Sequence, residues 1–504
     1  MQQFELDGQK LTLAQVAAVA KETVEIELSK AARERIQASR EVIERVVREG
    51  HVVYGVNTGF GQLSDVHISS SELDQLQLNL VRSHACGLGP PLSEQETRAL
   101  ILLRANVLAR GNSGCRIEIV ESLLDMLWNR LHPVIPEKGS VGASGDLAPL
   151  AHLALAMIGE GDSLYKGVRL PSGEALQAAG MNAVRLKAKE GLALLNGTQA
   201  MCAVGGLALY RARRLAALAD LAGAMTLEAL LGTPSPFDAR IHEVRPHPGQ
   251  GASAAHLRNL LADSDIRRSH LLNDPRVQDA YCLRCMPQVH GAVRDAIDHA
   301  CGIVEVETGS ATDNPLVFAD SGDVISGGNF HGAPLAMAFD YAAIALTDLM
   351  GITERRIDRL LNPGVNEGLP PFLSSHPGLS SGYMLAQVCA VALLNEAKIL
   401  AHPASIDNVP TSGDKEDHVS MGMTSALKLR QIVWNVEQVI AIELLASAEG
   451  LDYRAPLRSS PHIERARAIL RRIVPRLTED RPLSYDIQKT AGVIADGALD
   501  EFVT

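Results

Sequence analysis

Apolar residues recur along most of this chain at helical spacing, and that regularity removes most architectures from consideration. After Asp146, the residues Leu147, Leu150, Ala151, Ala154, Leu155 and Ile158 follow the i, i+3, i+4, i+7, i+8 rule of one helix face. Toward the other end Ile432, Val433, Val436, Val439 and Ile440 repeat it. From Glu464 to Val474 an Arg-rich amphipathic run reads as a solvated surface helix. Short strands are expected within the first fifty residues and near Leu316–Val317–Phe318. No alternating βα order emerges, which argues against a doubly wound sheet. The expected fold class is mainly α. Its softest feature is a division near residue 200, between a mixed part over 1–200 and a long-helix part over 201–504.

Composition says what such helices pack with. Hydrophobic residues make up 46% of the chain but aromatics only 4%, so the core is built from Ala, Leu, Val and Ile. Ala and Leu head the helix propensity order. The 47 Lys+Arg against 59 Asp+Glu leave a net charge of −12, which argues against a nucleic-acid footprint. The start, MQQFELDGQK, has neither a basic n-region nor an apolar h-region. The most apolar stretch, Leu147 to Ile158, is too short to span a bilayer and holds Pro149 and His152. Seven cysteines, few and odd in number, fit reduced thiols. These features lead to the expectation of a soluble cytoplasmic protein with no membrane partner.

The punctuation between helices is where chemistry is expected. Gly/Pro/Asn-rich breaks fall at Tyr54–Gly61, Gly87–Pro91, Gly139–Gly145 and Gly232–Gly251. Others fall at Thr308–Pro315, Ser326–Pro334, Asn362–Pro371 and Pro410–Asp414. Loops of this kind can carry reactive groups while the helices hold them rigidly.

The most informative string is Gly139-Ser-Val-Gly-Ala-Ser-Gly-Asp-Leu-Ala-Pro-Leu150. Its plainest reading is a glycine-rich turn with Asp146 as N-cap of the helix that begins at Leu147. A serine-hydrolase elbow fails on spacing, because G-x-S-x-G from Gly142 demands Gly where the chain has Asp146. A third reading takes Ala143-Ser144-Gly145 as a unit. In a tight bend the amide nitrogen of Gly145 can reach the carbonyl carbon of Ala143 and close a five-membered ring. Small neighbours allow that approach. Loss of the Ser144 hydroxyl then leaves an exocyclic methylidene. The product would be 4-methylideneimidazol-5-one, an electrophile made from the chain itself; the three residues alone are common, and only the extended string points to this chemistry.

The extended string resembles the signature of the aromatic amino-acid ammonia-lyases, in their histidine-directed branch. The resemblance runs over nearly the whole chain, in order. It includes Tyr54-Gly-Val-Asn-Thr-Gly-Phe-Gly61, Ser83-His84, Leu194-Leu-Asn-Gly-Thr-Gln199 and Pro236-Phe-Asp-Ala-Arg-Ile-His242. Further motifs are Gln278-Asp-Ala-Tyr-Cys-Leu-Arg284, Gly327-Gly-Asn-Phe-His331 and Glu416-Asp-His-Val-Ser-Met421. The resemblance implies non-oxidative loss of ammonia from an α-amino acid, from L-histidine to urocanate. An amine leaves poorly and a β-proton is scarcely acidic, so the family relies on covalent catalysis by its internal electrophile. It also implies long helices in a central bundle, a homotetramer, and sites built from more than one chain.

Roles follow from the resemblance one residue at a time. Tyr54 resembles the base for the β-proton; a free Tyr has a pKa of about 10, so the role needs a phenolate favoured by its surroundings. Arg284 resembles the clamp on the substrate carboxylate, a task for a planar guanidinium. Asn196 and Tyr281 correspond to residues assisting ring formation and substrate positioning. Gln278 and Phe330 match positions lining the site, and Asp146 sits beside the ring. His84 holds the place of a side-chain-recognising group shared by histidine- and tyrosine-directed members. Glu416 can accept an imidazole N–H or serve as a base near neutral pH. Lys415 departs from the Gln often found before that Glu, which leaves tyrosine ammonia-lyase and aminomutase activities as alternatives.

The remaining patterns have plain readings. Cys282-Leu-Arg-Cys285 has no second pair, so two free thiols are expected and no metal. His242, His247 and His290 lack ligand spacing. Gly59-Phe-Gly61 lacks the third glycine of a dinucleotide fingerprint. No external cofactor is expected.

Overall fold

A computed structural model of the chain describes residues 2–21, 24–59, 66–272, 274 and 276–503. Four long helices dominate it: Gln199–Ala229, Met286–Thr308, Ala333–Leu361 and Gly422–Asp452. The chain forms two compact units. The first comprises Met1–Tyr210, Ala300–Asp340 and Pro403–Leu427; the second comprises Arg211–His299, Tyr341–His402 and Lys428–Thr504.

In the first unit, helix Lys30–Glu49 starts at Ser29, whose side chain accepts from the Ala32 amide, and stops at Gly50 in the left-handed region. Helix Glu94–Ala109 opens with a capping box between Ser93 and Glu96. Every residue from Glu96 to Ala109 is buried, Arg98, Arg104 and Asn106 included. Such a helix can exist only where the interior offers those polar groups partners. The helix expected after Asp146 runs over Leu147–Met157. Of the face its periodicity implied, Leu150, Ala151 and Ala154 are buried but Leu147, Leu155 and Ile158 only half-buried, while Ala148, Pro149, Leu153, Ala156 and Met157 from outside that face are buried. Small Ala side chains let neighbours approach from other directions, so little of this helix meets solvent.

The expected short strands are present. Gln2–Leu6 pairs in parallel with Val24–Leu28, and Leu316–Phe318 pairs with Asp323–Ile325 in an antiparallel hairpin. A three-stranded antiparallel sheet joins Leu131–Pro133, Asp162–Tyr165 and Val168–Pro171. In the second unit Ile432, Val433, Val436, Val439 and Ile440 are all at most 1% exposed, as the periodicity required. Helix Pro461–Ile473, capped by Ser460, buries only the stripe Ile463, Ala466 and Leu470, and is the Arg-rich surface helix. Helix Ala333–Leu361 is long and apolar enough to cross a membrane, yet 61% of its most apolar window is buried within the protein.

Candidate active site

Strand Pro136–Lys138 delivers the chain into the loop 139–146, where three segments of the first unit meet closely. Gly142 and Gly145 have φ of +68° and +78°. A Cβ on Gly142 would lie 2.2 Å from Ser420 Oγ, and one on Gly145 would lie 2.1 Å from Gly197 O. Both positions therefore exclude side chains on two separate grounds. Ser420 Oγ donates to Gly142 O at 3.1 Å, and the Met421 amide donates to Val141 O at 2.9 Å. The Asp146 amide donates to Gly197 O at 2.7 Å.

Asp146 occupies the N-cap position of Leu147–Met157, but its side chain does not cap that helix. Its φ of −94° and ψ of 55° turn the carboxylate elsewhere. Oδ2 accepts from the Met201 amide at 2.7 Å, in the first turn of helix Gln199–Ala229, and Oδ1 accepts from Ser140 Oγ at 2.8 Å. The expected capping of Leu147–Met157 by this side chain is therefore not observed; the carboxylate instead binds the first turn of a helix that starts 53 residues later (199 − 146). Complete burial pushes the Asp146 carboxyl up to about 6, against the lowering effect of the Met201, Ser140 and Ala200 hydrogen bonds.

Ser144 stands between these anchors. Its Oγ donates to Glu416 Oε1 at 3.0 Å, and Thr411 Oγ1 donates to the other oxygen, Oε2, at 2.6 Å. Glu416 lies on a short hairpin closed by Thr411 N to Glu416 O at 2.9 Å and Glu416 N to Thr411 O at 3.3 Å. His84, at the end of helix Leu73–His84, is close enough for the Glu416 charge to act on it. Its Nδ1 contacts Leu80 O at 2.8 Å, so Nδ1 carries the proton and Nε2 is left as an acceptor in the neutral ring. Burial pulls this imidazole below its ordinary value and outweighs both the Leu80 carbonyl and Glu416, which favours the neutral form.

Asn196 ends helix Glu190–Leu195 and is buried, with Nδ2 donating to Asn314 O at 2.8 Å. Asn314 Oδ1 in turn accepts from the Gly327 amide at 2.8 Å, at the start of the loop that carries half-buried Phe330. Beneath this lies a fully buried ion pair, Lys189 Nζ to Asp313 Oδ2 at 2.7 Å. Arg104 grips the same region: its guanidinium donates to the carbonyls of Ala193 and Asn196 and, at 2.6 Å, to Gln199 Oε1. Sequence reasoning missed Arg104, Lys189, Asp313, Asn314 and Thr411. The usable signals were a lone Arg inside the apolar run before Arg110, and the polar breaks Thr308–Pro315 and Pro410–Asp414.

Tyr54 is half-buried in a turn held by Asn57, whose Oδ1 accepts from the Val53 amide at 2.9 Å and whose Nδ2 donates to His51 O at 2.8 Å. Phe60 and Gly61 of the same motif lie outside the described residues.

Three expected site residues belong to the second unit. Gln278 is exposed, and Tyr281 and Arg284 bound the short helix Tyr281–Arg284. The Arg284 guanidinium carbon sits 4.5 Å from the Tyr281 ring centroid, while Tyr281 is itself 71% exposed. Arg284 Nε is buried without a hydrogen-bond partner among the described residues. Cys282 and Cys285 are free thiols.

The family model for aromatic amino acid lyases matches residues 11–472. The chain is 54% identical to the histidine ammonia-lyase of Anaeromyxobacter sp. (strain K), over 99% of this chain and 100% of that protein. Among solved structures it is similar to histidine ammonia-lyase from Trypanosoma cruzi, with a TM-score of 0.92 and 44% identity, covering 99% of this chain and 95% of that one. Tyrosine aminomutase from Streptomyces globisporus shares the fold at a TM-score of 0.95 and 38% identity, covering 99% and 98%. With a matching family model across most of its length and relatives this similar from end to end, the chain belongs to the aromatic amino acid lyase family.

Proposed function

We propose that this chain removes ammonia non-oxidatively from L-histidine, giving urocanate and ammonium, with an electrophile closed from its own Ala143, Ser144 and Gly145. The observation that carries this reading is the hydrogen bond from Ser144 Oγ to Glu416 Oε1 at 3.0 Å, which brings a carboxylate against the ring-forming tripeptide, with the neutral His84 imidazole within reach of the Glu416 charge. A carboxylate and a neutral imidazole together offer acceptors for the N–H of a substrate imidazole. The ammonia-lyase relatives at 54% identity support the same substrate.

The tripeptide fits the ring. Gly145 has the positive φ and missing Cβ that a tight bend requires, and Ala143 is small and buried. Joining the Gly145 nitrogen to the Ala143 carbonyl carbon releases one water, and loss of the Ser144 hydroxyl with its α-hydrogen releases a second. Once formed, 4-methylideneimidazol-5-one supplies an electrophilic carbon toward the substrate amine. Tyr54 takes the β-proton, Glu416 accepts the imidazole N–H, and His84 faces the same ring. Asn196 orients the substrate with Phe330 as an apolar wall, and Arg284 holds its carboxylate in a bidentate fork. Gln278 and Tyr281 complete the lining.

We assign these last three residues to a site completed by another copy within a cytoplasmic homotetramer. The segment that carries them is unusually apolar for a surface: Leu272 is 84% exposed and Val277 100%. An Arg side chain with a buried, unpartnered Nε also suits a carboxylate that arrives from elsewhere.

The experiment is to incubate the pure protein with L-histidine and follow urocanate absorbance. Urocanate formation is the expected result. Coumarate from L-tyrosine, without urocanate, would move the substrate to the tyrosine branch. Intact mass should fall short of the encoded mass by two waters. Ser144→Ala should restore one of those waters or both and reduce turnover to background; retained turnover would remove Ser144 from the mechanism.

A further inference from the structure

Glu416 is bound at both carboxylate oxygens, and the two bonds have different futures. The bond from Ser144 Oγ to Oε1 depends on a hydroxyl that ring closure expels as water. The bond from Thr411 Oγ1 to Oε2, at 2.6 Å, involves no reacting atom and survives. We propose that Thr411 is the positioning residue of the matured site: it holds Glu416 by one oxygen so that the other is aimed at the substrate's imidazole. This inference rests on the function proposed above and goes beyond it, because no motif or resemblance singled out Thr411.

The local build supports a dedicated anchor. The hairpin that joins Thr411 to Glu416 turns through Ser412, Gly413 and Asp414, with φ of +51°, +62° and +65°. Non-glycine residues rarely adopt such angles, so the turn is tightly specified. Asn408 closes its base, with Nδ2 donating to Asp417 O and Oδ1 accepting from the Val419 amide, both at 2.8 Å. These backbone restraints fix where the Glu416 main chain lies, but not which rotamer its side chain takes. Glu has three side-chain torsions, and among the described residues only the Thr411 hydroxyl and Ser144 hydrogen-bond to the carboxylate. Without Thr411 the matured carboxylate would swing, and misplacement on the order of 1 Å can reduce turnover about 100-fold.

The test compares the full-length protein with Thr411→Val and Thr411→Ser. Valine keeps the branched shape and leaves the two backbone bonds of the hairpin in place, while serine restores the hydroxyl. Expected for Thr411→Val are an unchanged mass deficit of two waters, an unchanged melting temperature, a kcat lower by about 10- to 100-fold, and KM within about threefold. Thr411→Ser should recover most of the lost kcat. A Thr411→Val protein with parental kcat, or a Thr411→Ser protein as impaired as Thr411→Val, overturns the proposal. So does a Thr411→Val protein lacking the mass deficit, which would assign Thr411 to ring formation instead. The ratio is taken on whichever of L-histidine, L-tyrosine or L-phenylalanine the unaltered chain turns over. The unaltered chain's choice among the three reports separately on the proposed function.

Discussion

Each unit of this protein buries a network of charge, and the two networks grip different things. In the second unit Asp220 accepts from Ser253 at 2.7 Å, His256 at 3.0 Å, and His290 and Arg294 at 2.6 Å each. Beyond His290, Arg356 Nη1 lies 3.1 Å from Nε2, and the same guanidinium forks onto Glu443 at 2.5 and 2.8 Å. Nearly every bond there runs from side chain to side chain, between helices whose backbones are already satisfied. In the first unit the buried polar groups hold the backbone of loops and helix ends instead. Arg104 takes the carbonyls of Ala193 and Asn196, Asp146 takes the Met201 amide, and Asn314 binds Asn196 on one side and Gly327 on the other. Backbone in loops and in the terminal turns of helices lacks partners in a ladder of its own, so these bonds decide where its atoms lie. One network staples helices together; the other sets positions.

The comparison breaks most visibly if its two members respond alike to mutation. Arg356→Ala should produce the largest loss of stability. It leaves Glu443 with Thr226 as its remaining donor and deprives His290 Nε2 of one, all in fully buried surroundings. Removing one partner of such a pair costs about 3–5 kcal/mol. Denaturant unfolding should register that loss, while kcat at a temperature where the variant stays folded should remain within about twofold of the parent. A loss under about 1 kcal/mol would mean the network contributes little, contrary to its description as a staple.

Arg104→Lys should reverse the balance. Burial pulls the guanidinium down to about 10, with the Asp313 charge opposing, so it is cationic at neutral pH, as a lysine can also be. Lysine loses the fork, however, and one ammonium cannot reproduce the span from Ala193 O to Asn196 O. We expect a stability loss of about 1–3 kcal/mol, together with a kcat lower by about 10- to 100-fold through displacement of Asn196. Paired measurements of kcat and melting temperature on the same preparation separate the two. If activity falls no more than stability predicts, the first unit's network is a staple as well.

How much of this was legible in the sequence depended on whether the cause was local. Helix Leu147–Met157, the hairpin strand Leu316–Phe318 and the surface helix Pro461–Ile473 follow from spacing rules that act within a few residues. The string around Ser144 was legible through its resemblance to the family signature, since Ala-Ser-Gly by itself is a common tripeptide. Asp146 was identified as a cap from its place before Leu147, yet it caps a helix that no local rule could name. Arg104 showed in sequence only as a lone Arg in an apolar run, because the Ala193 and Asn196 carbonyls it binds lie some ninety residues away. Thr411 escaped for a related reason: its value lies in the oxygen of Glu416 it touches, and a hairpin with strained turn residues is hard to read from composition. The exposure of Val277 and Tyr281 likewise emerges only from the three-dimensional arrangement.

The sharpest test of the comparison is a trend with pH, because the two networks each contain a buried aspartate and the two should titrate in opposite directions. Burial alone raises both. At Asp220 the surrounding His256, His290 and Arg294 outweigh it and hold the carboxyl well below the usual range. The stability that Asp220 contributes is therefore present above its unfolded value of about 3.9 and lost only as pH falls through its lower folded value. Asp146 has neutral donors only, so burial wins and its folded value stands at about 6. The folded state then binds a proton more tightly than the unfolded chain. Protonation favours folding as pH falls from about 6 toward 4, and ionisation above about 6 opposes it, by an amount on the order of 2–3 kcal/mol. Asn in this position cannot ionise, can still accept from the Met201 amide through its carbonyl oxygen, and can donate to Ser140 through its amide. Asp146→Asn should thus gain stability relative to the parent as pH is raised from about 4 to about 7, a trend read from paired melting curves across that range. A constant difference would show that the helix amides and Ser140 offset burial in full, and that a neutral cage can hold this carboxylate charged much as the cationic one holds Asp220.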